Sequence, residues 1–89
     1  MYLRWFRKLR DTQARARIDL RIRRVTLGNL GDVRPVGEGV SELRIDYGPG
    51  YRVYFKQHGS TVILLLGGGD KSTKRADIKL AKQLAGDLG

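Results

Sequence analysis

The sequence contains no cysteine. Disulfides and thiolate metal sites are therefore excluded, and a reducing, cytoplasmic setting fits. No apolar run approaches the roughly 20 residues of a membrane span. The longest, Val62 to Leu66, is strand-sized. The opening MYLRWFRKLR lacks both an uninterrupted apolar stretch and a small-residue cleavage site, so it does not read as a signal peptide. Histidine occurs once, as His58, between two strand-like segments. It reads as a turn residue rather than a catalytic base, because a hairpin tip offers a substrate no pocket. Acidic residues are scarce: nine Asp plus Glu face 18 Lys plus Arg, for a net charge of +9. Such a balance favours an anionic partner, whether nucleic acid, an acidic protein or a membrane surface.

Eighty-nine residues, 40% of them hydrophobic, suffice for one domain with one modest core. Within it, residues 41–56, SELRIDYGPGYRVYFK, alternate with the period of two strands joined by a Gly-Pro-Gly turn. Leu43, Ile45 and Tyr47 share one face of the first strand, opposite Glu42, Arg44 and Asp46. On the second, Tyr51, Val53 and Phe55 alternate with Arg52, Tyr54 and Lys56. One face of this hairpin thus holds Arg44, Arg52 and Lys56 on neighbouring strands.

Residues 2–10 predict a short amphipathic helix with Leu3, Phe6 and Leu9 on its stripe. Asp11-Thr12 interrupts it and can cap a second helix, residues 13–27. That helix presents Ala14, Ile18, Ile22 and Val25 on one face, and Gly28-Asn29 stops it. Asp19 and Arg23 stand at the favourable i,i+4 spacing. The two helices form a hairpin laid over a sheet. Residues 1–24 hold nine basic and two acidic residues. Those arginines read first as a solvated face, and alternatively as a docking surface for an acidic partner or RNA phosphates.

A turn-rich passage, 28–39, holds a short strand near Val33 to Val36 that Pro35 confines to an edge. Residues 61–66, TVILLL, read as a central strand covered on both faces. The glycines of 67–71, GGGDK, allow backbone to approach a ligand. Their spacing does not match a nucleotide-binding phosphate loop, which needs G-x-x-x-x-G-K-[ST]. Residues 72–85 form a last helix, with Ser72 or Thr73 as cap and Gly86 as stop.

Three ordered blocks carry a family resemblance: G-N-x-G-D-x-x-x-V-G-x-G-V-x-E-L-R-I at 28–45, G-P-G-Y-R-V-Y-F at 48–55 and G-G-D-K-S-T at 68–73. Together they resemble the phage-derived addiction-module killer proteins of the RelE/ParE superfamily, HigB-like type II toxins, over nearly the whole chain. The resemblance implies a single α+β domain spanning residues 1–89. In it an N-terminal helical hairpin packs on a twisted, mostly antiparallel sheet of three or four strands, with a C-terminal helix. Relatives usually open with a strand before the first helix, whereas here Met1 runs almost straight into the helix.

The resemblance further implies a ribosome-dependent mRNA endonuclease that inhibits translation. Its partners would be a cognate antitoxin of HigA-like, helix-turn-helix type, the ribosome with its mRNA, and operator DNA through the antitoxin complex. It would need no cofactor, metal or membrane. Alternative readings are a ParE-like inhibitor of DNA gyrase, or a non-catalytic module that binds antitoxin and DNA.

By motif, Arg52 in GYR matches the arginine that RelE-like nucleases place at the scissile phosphate, and Arg44 in ELR a basic strand position. Lys71 and Lys74 fall where such toxins carry further basic residues. The C-terminal-helix tyrosine of RelE-like sites is replaced by Ile78, and no histidine stands nearby. An ordinary strand ion pair of Arg44 or Arg52 with Glu42 or Asp46 is the competing reading.

Overall fold

In the computed structural model, which describes residues 1–69 and 71–88, the chain is a small α+β fold with a four-stranded antiparallel sheet. Helices α1 (Tyr2–Arg7) and α2 (Thr12–Thr26) lead into β1 (Val33–Gly37), β2 (Val40–Ile45), β3 (Tyr51–His58) and β4 (Thr61–Gly68). A single 3-10 turn, Lys71–Thr73, then opens α3 (Lys74–Asp87). The strands lie in sequence order, each antiparallel to the next. No helix among the described residues is long and apolar enough to cross a membrane.

Local chemistry accounts for the helix ends. The Asp11 side chain accepts hydrogen bonds from the Gln13 and Ala14 backbone N–H groups at 3.0 and 3.2 Å, satisfying two orphan donors of α2. Its other oxygen accepts the Tyr47 hydroxyl at 2.9 Å, which ties the cap to the end of β2. These bonds, led by that from Ala14, hold the Asp11 carboxyl below its ordinary range. At the far end Gly28 takes φ +90°. Its N–H donates to Val25 O at 3.0 Å and that of Asn29 to Arg24 O at 2.8 Å, the paired bonds of a Schellman stop.

The sheet is buried on both faces, in three layers. The face toward α1 and α2 gathers Tyr2, Ile18, Val25, Leu43, Ile45, Val53 and Phe55. The face toward α3 gathers Val40, Tyr54, Leu65, Leu66, Ala81 and Ala85. Leu65 and Leu66 are neighbours in sequence yet share a face. A bulge in the pairing of β3 with β4, where Tyr54 opposes Leu66 and Phe55 opposes Leu64, turns both toward α3.

Several expectations are corrected. Leu3 points outward at 59% exposure, and Tyr2 takes its place in the core. The helix ends at Arg7 rather than residue 10, and its buried side is Tyr2, Trp5 and Phe6, spaced i, i+3, i+4, with Leu9 packing just beyond its end. Strand β4 is an edge strand rather than a central one, although both its faces are covered. Gly86 lies inside α3, which runs one residue further and is capped by Leu88. Thr73 occupies the N-cap without accepting a backbone bond there, and its hydroxyl donates to Asp77 Oδ2 at 2.9 Å. The ion pairs among the described residues do not include Asp19 with Arg23. Glycines 67 and 68 serve packing: a Cβ at Gly67 would overlap the Trp5 ring, and one at Gly68 the Asp77 carboxyl. Asp70, part of the segment expected to approach a ligand, lies outside the described residues.

Candidate functional site

The period of two in β2 puts Glu42 and Arg44 on one face, and antiparallel pairing adds Arg52 and Tyr54 to it. Arg44 stands directly opposite Arg52, and Glu42 opposite Tyr54. The alternation marked this as the polar face of the hairpin. Yet α3 covers it, leaving Glu42 only 1% exposed and Arg52 4%.

Burying a carboxylate this deeply requires compensating charge. Three cations supply it: Arg52 Nε at 3.8 Å and Arg44 Nε at 3.9 Å from Glu42 Oε1, and Lys74 Nζ at 3.8 Å from Oε2. These separations are ion contacts, beyond hydrogen-bond length. Accordingly Glu42 Oε2 and Arg52 Nε have no hydrogen-bond partner among the described residues. The same holds for the Tyr54 hydroxyl beside them. Burial, and then the Glu42 charge, push its pKa far above the ordinary tyrosine value, so it keeps its proton at neutral pH.

In front of this cluster opens a cleft of about 370 Å³. Its cations are Arg44, Arg52 and Lys71, and its other titratable lining groups are Asp32, Asp46 and Tyr51. The Gly48–Gly50 loop forms one lip. Gly48 and Gly50 take φ of +58° and +83°, conformations that glycine adopts without strain. That geometry lets Gly50 O accept Arg52 Nη1 at 3.3 Å, tethering the guanidinium at the cleft wall. Of the two paired arginines Arg44 is the accessible one, its side chain 36% exposed. Its backbone N–H donates to Asp32 O at 3.0 Å, which fixes Asp32 alongside.

The fold thus brings together three of the four residues singled out by motif: Arg44, Arg52 and Lys71. Lys74 turns to Glu42, behind the cleft. Both arginines do approach Glu42, as the ion-pair reading expected, but in a buried cluster. Ile78 packs in the α3 core. His58 lies exposed at the opposite end of β3, six residues or about 20 Å from Arg52 at the rise of a strand. The motifs did not mark Glu42, Asp32 or Asp46 as site residues. Glu42 was legible only as a carboxylate sharing a face with two arginines. Among the described residues no group of His, Cys, Asp and Glu is placed to hold a metal ion.

Chemically, two guanidinium groups held opposite each other repel unless an anion lies between or before them. The single charge of Glu42 offsets only one of the two, so the pair favours a further anion in the cleft that it lines. Tyr51, half-buried, adds an aromatic side chain to the cleft lining and makes a T-shaped contact with Trp5 at 6.1 Å.

No protein-family model matches the chain. No solved structure matches it either. A Haemophilus influenzae protein (strain ATCC 51907 / DSM 11121 / KW20 / Rd) described as an uncharacterized protein is 52% identical to it over 85 residues, covering 96% of this chain and 86% of the relative. The chain belongs to the same family as that Haemophilus influenzae protein.

Proposed function

We propose that the protein is a RelE/ParE-type toxin, HigB-like, that cleaves mRNA on the ribosome and is neutralised by a cognate antitoxin. The observation that carries this reading is the direct pairing of Arg44 with Arg52 across β2 and β3, at the wall of a cleft that Lys71 also lines. Fixed cations of this kind suit charge that develops on a phosphorane. In the reaction, the ribose 2′-oxygen attacks phosphorus as its proton passes to a cleft carboxylate, Asp46 or Asp32. The bond from phosphorus to the 5′-oxygen breaks as Lys71 donates a proton to that oxygen. The products are a 2′,3′-cyclic phosphate and a 5′-hydroxyl. Arg44 and Arg52 stabilise the dianionic intermediate.

Glu42 dictates how this should be tested. Truncating Arg52 would strand a buried carboxylate and threaten the fold, whereas Arg44 is partly exposed. Expression of Arg44→Gln without antitoxin is expected to restore growth. Primer extension on a translated message should show cleavage reduced about 100-fold or more, the typical effect of losing one transition-state donor. Full toxicity of Arg44→Gln would overturn the reading. DNA damage with intact message would favour gyrase inhibition, and normal growth with the parent protein a non-catalytic module.

A further inference from the structure

A second groove, of about 360 Å³, runs between α2 and β2. Arg17, Arg21 and Arg24 line it from the helix, Arg44 and Ile45 from the strand, and Asp46 from just beyond its end. Arg44, Ile45, Asp46 and Asp32 border both this groove and the cleft. The two depressions are thus one trough. Among the described residues its lining sets six cations (Arg17, Arg21, Arg24, Arg44, Arg52, Lys71) against two carboxylates (Asp32, Asp46).

Spacing and tethering give the α2 arginines a form that a merely solvated face lacks. Positions 17, 21 and 24 follow the i, i+4, i+7 stripe next to the buried one, so they succeed one another along the groove at about one helical turn, 5.4 Å. That interval is of the order of the separation of neighbouring phosphates on an extended strand. Two of the three are held in place. The Arg17 guanidinium lies over the Tyr47 ring at 4.7 Å, and Arg21 donates to Leu30 O at 3.5 Å. Arg21 Nε has no hydrogen-bond partner among the described residues. Cations already ordered lose less entropy when they bind. Leu20, 47% exposed on the groove wall, adds apolar surface for a ribose or base.

We propose that this groove is a subsite for the sugar-phosphate backbone of single-stranded RNA, continuing the strand whose reacting phosphate sits in the cleft. The inference rests on the mRNA-cleaving reading and deepens it. The continuity of the trough, with regularly spaced cations leading to the paired arginines, favours one long polyanion over a separate acidic protein.

Binding of 5′-labelled 2′-O-methyl RNA, which cannot be cleaved, tests it by fluorescence anisotropy across a NaCl series. A dinucleotide reports the cleft, and a hexanucleotide the whole trough. For the double variant Arg17→Gln/Arg24→Gln, the slope of log K against log salt for the hexanucleotide should fall by about 1.4, at roughly 0.7 for each phosphate of a single strand that is no longer neutralised. Dinucleotide binding should be unchanged. The charge-matched pair Arg7→Gln/Arg10→Gln, away from the groove, should keep the parent slope.

An α2 variant with the parent slope, or an equal fall in the control pair, would overturn the subsite while leaving the cleft reading intact. A parent protein that binds neither oligonucleotide would overturn both. If poly-glutamate competes with the hexanucleotide on the parent and loses more affinity than the RNA does on the α2 variant, the groove belongs to an acidic polypeptide and the subsite fails.

Discussion

At the residue scale, Glu42 decides what the arginines can do. It is a carboxylate with almost no water contact, and its compensation is ionic: three cations at 3.8–3.9 Å. Removing one partner of a buried pair typically costs about 3–5 kcal/mol, because the other charge stays buried and uncompensated. Glu42→Gln is therefore expected to lose about that much stability in urea unfolding. Lys74 is the contrasting member, its side chain 42% exposed. Lys74→Gln should cost under about 1 kcal/mol, as exposed pairs do. Equal effects of the two variants would mean that burial does not govern the cluster. The sequence made Arg44 and Arg52 visible by alternation and motif. It concealed Glu42 as their buried counter-ion, because which helix covers which face of a sheet is settled by packing across the whole chain and leaves no local mark.

Elements meet closely where α1 crosses β4. Gly67 has no side chain, and the Trp5 ring occupies the space a Cβ would take. Gly67→Ala should force α1 away from the sheet at a cost of about 1–3 kcal/mol, the usual penalty for overpacking. Trp5 is the only tryptophan, so its emission reports the change directly and should shift to the red. Gly86→Ala in α3 is the converse case. A Cβ there meets nothing within 4 Å, and gains of about 0.4–1 kcal/mol follow from restricting the unfolded chain. An unshifted spectrum in Gly67→Ala would show that α1 does not rest on β4. Much at this scale was legible. Asp11 as cap, Gly28-Asn29 as stop and Pro35 on an edge strand all follow from local chemistry. Illegible were the position of β4 in the sheet and the Leu65–Leu66 bulge. An apolar run states that both faces are covered and says nothing about neighbours in the sheet or about an extra residue in the ladder.

For the whole molecule, a net charge of +9 on 89 residues opposes compaction through self-repulsion. Raising NaCl from about 10 to about 150 mM shortens the screening length to about 8 Å and should raise the urea midpoint. A single-stranded RNA that occupies the proposed trough should stabilise the protein as well, but mainly at low salt where phosphate contacts are strong. A midpoint that falls as salt is added would place the dominant charge effect in attraction, not repulsion. The strand order carries one last consequence, for the time course of folding. Each strand pairs with the one that precedes it in the chain, so β1 to β4 can zip through three short turns at little loop-closure cost. Contact between α1 and β4 instead spans about sixty residues, from Trp5 to Leu66. Among the main contacts between elements of the described residues it is the longest closure, so α1 is expected to dock last, as a clasp on a sheet already assembled, and substitutions in α1 should give φ-values near zero.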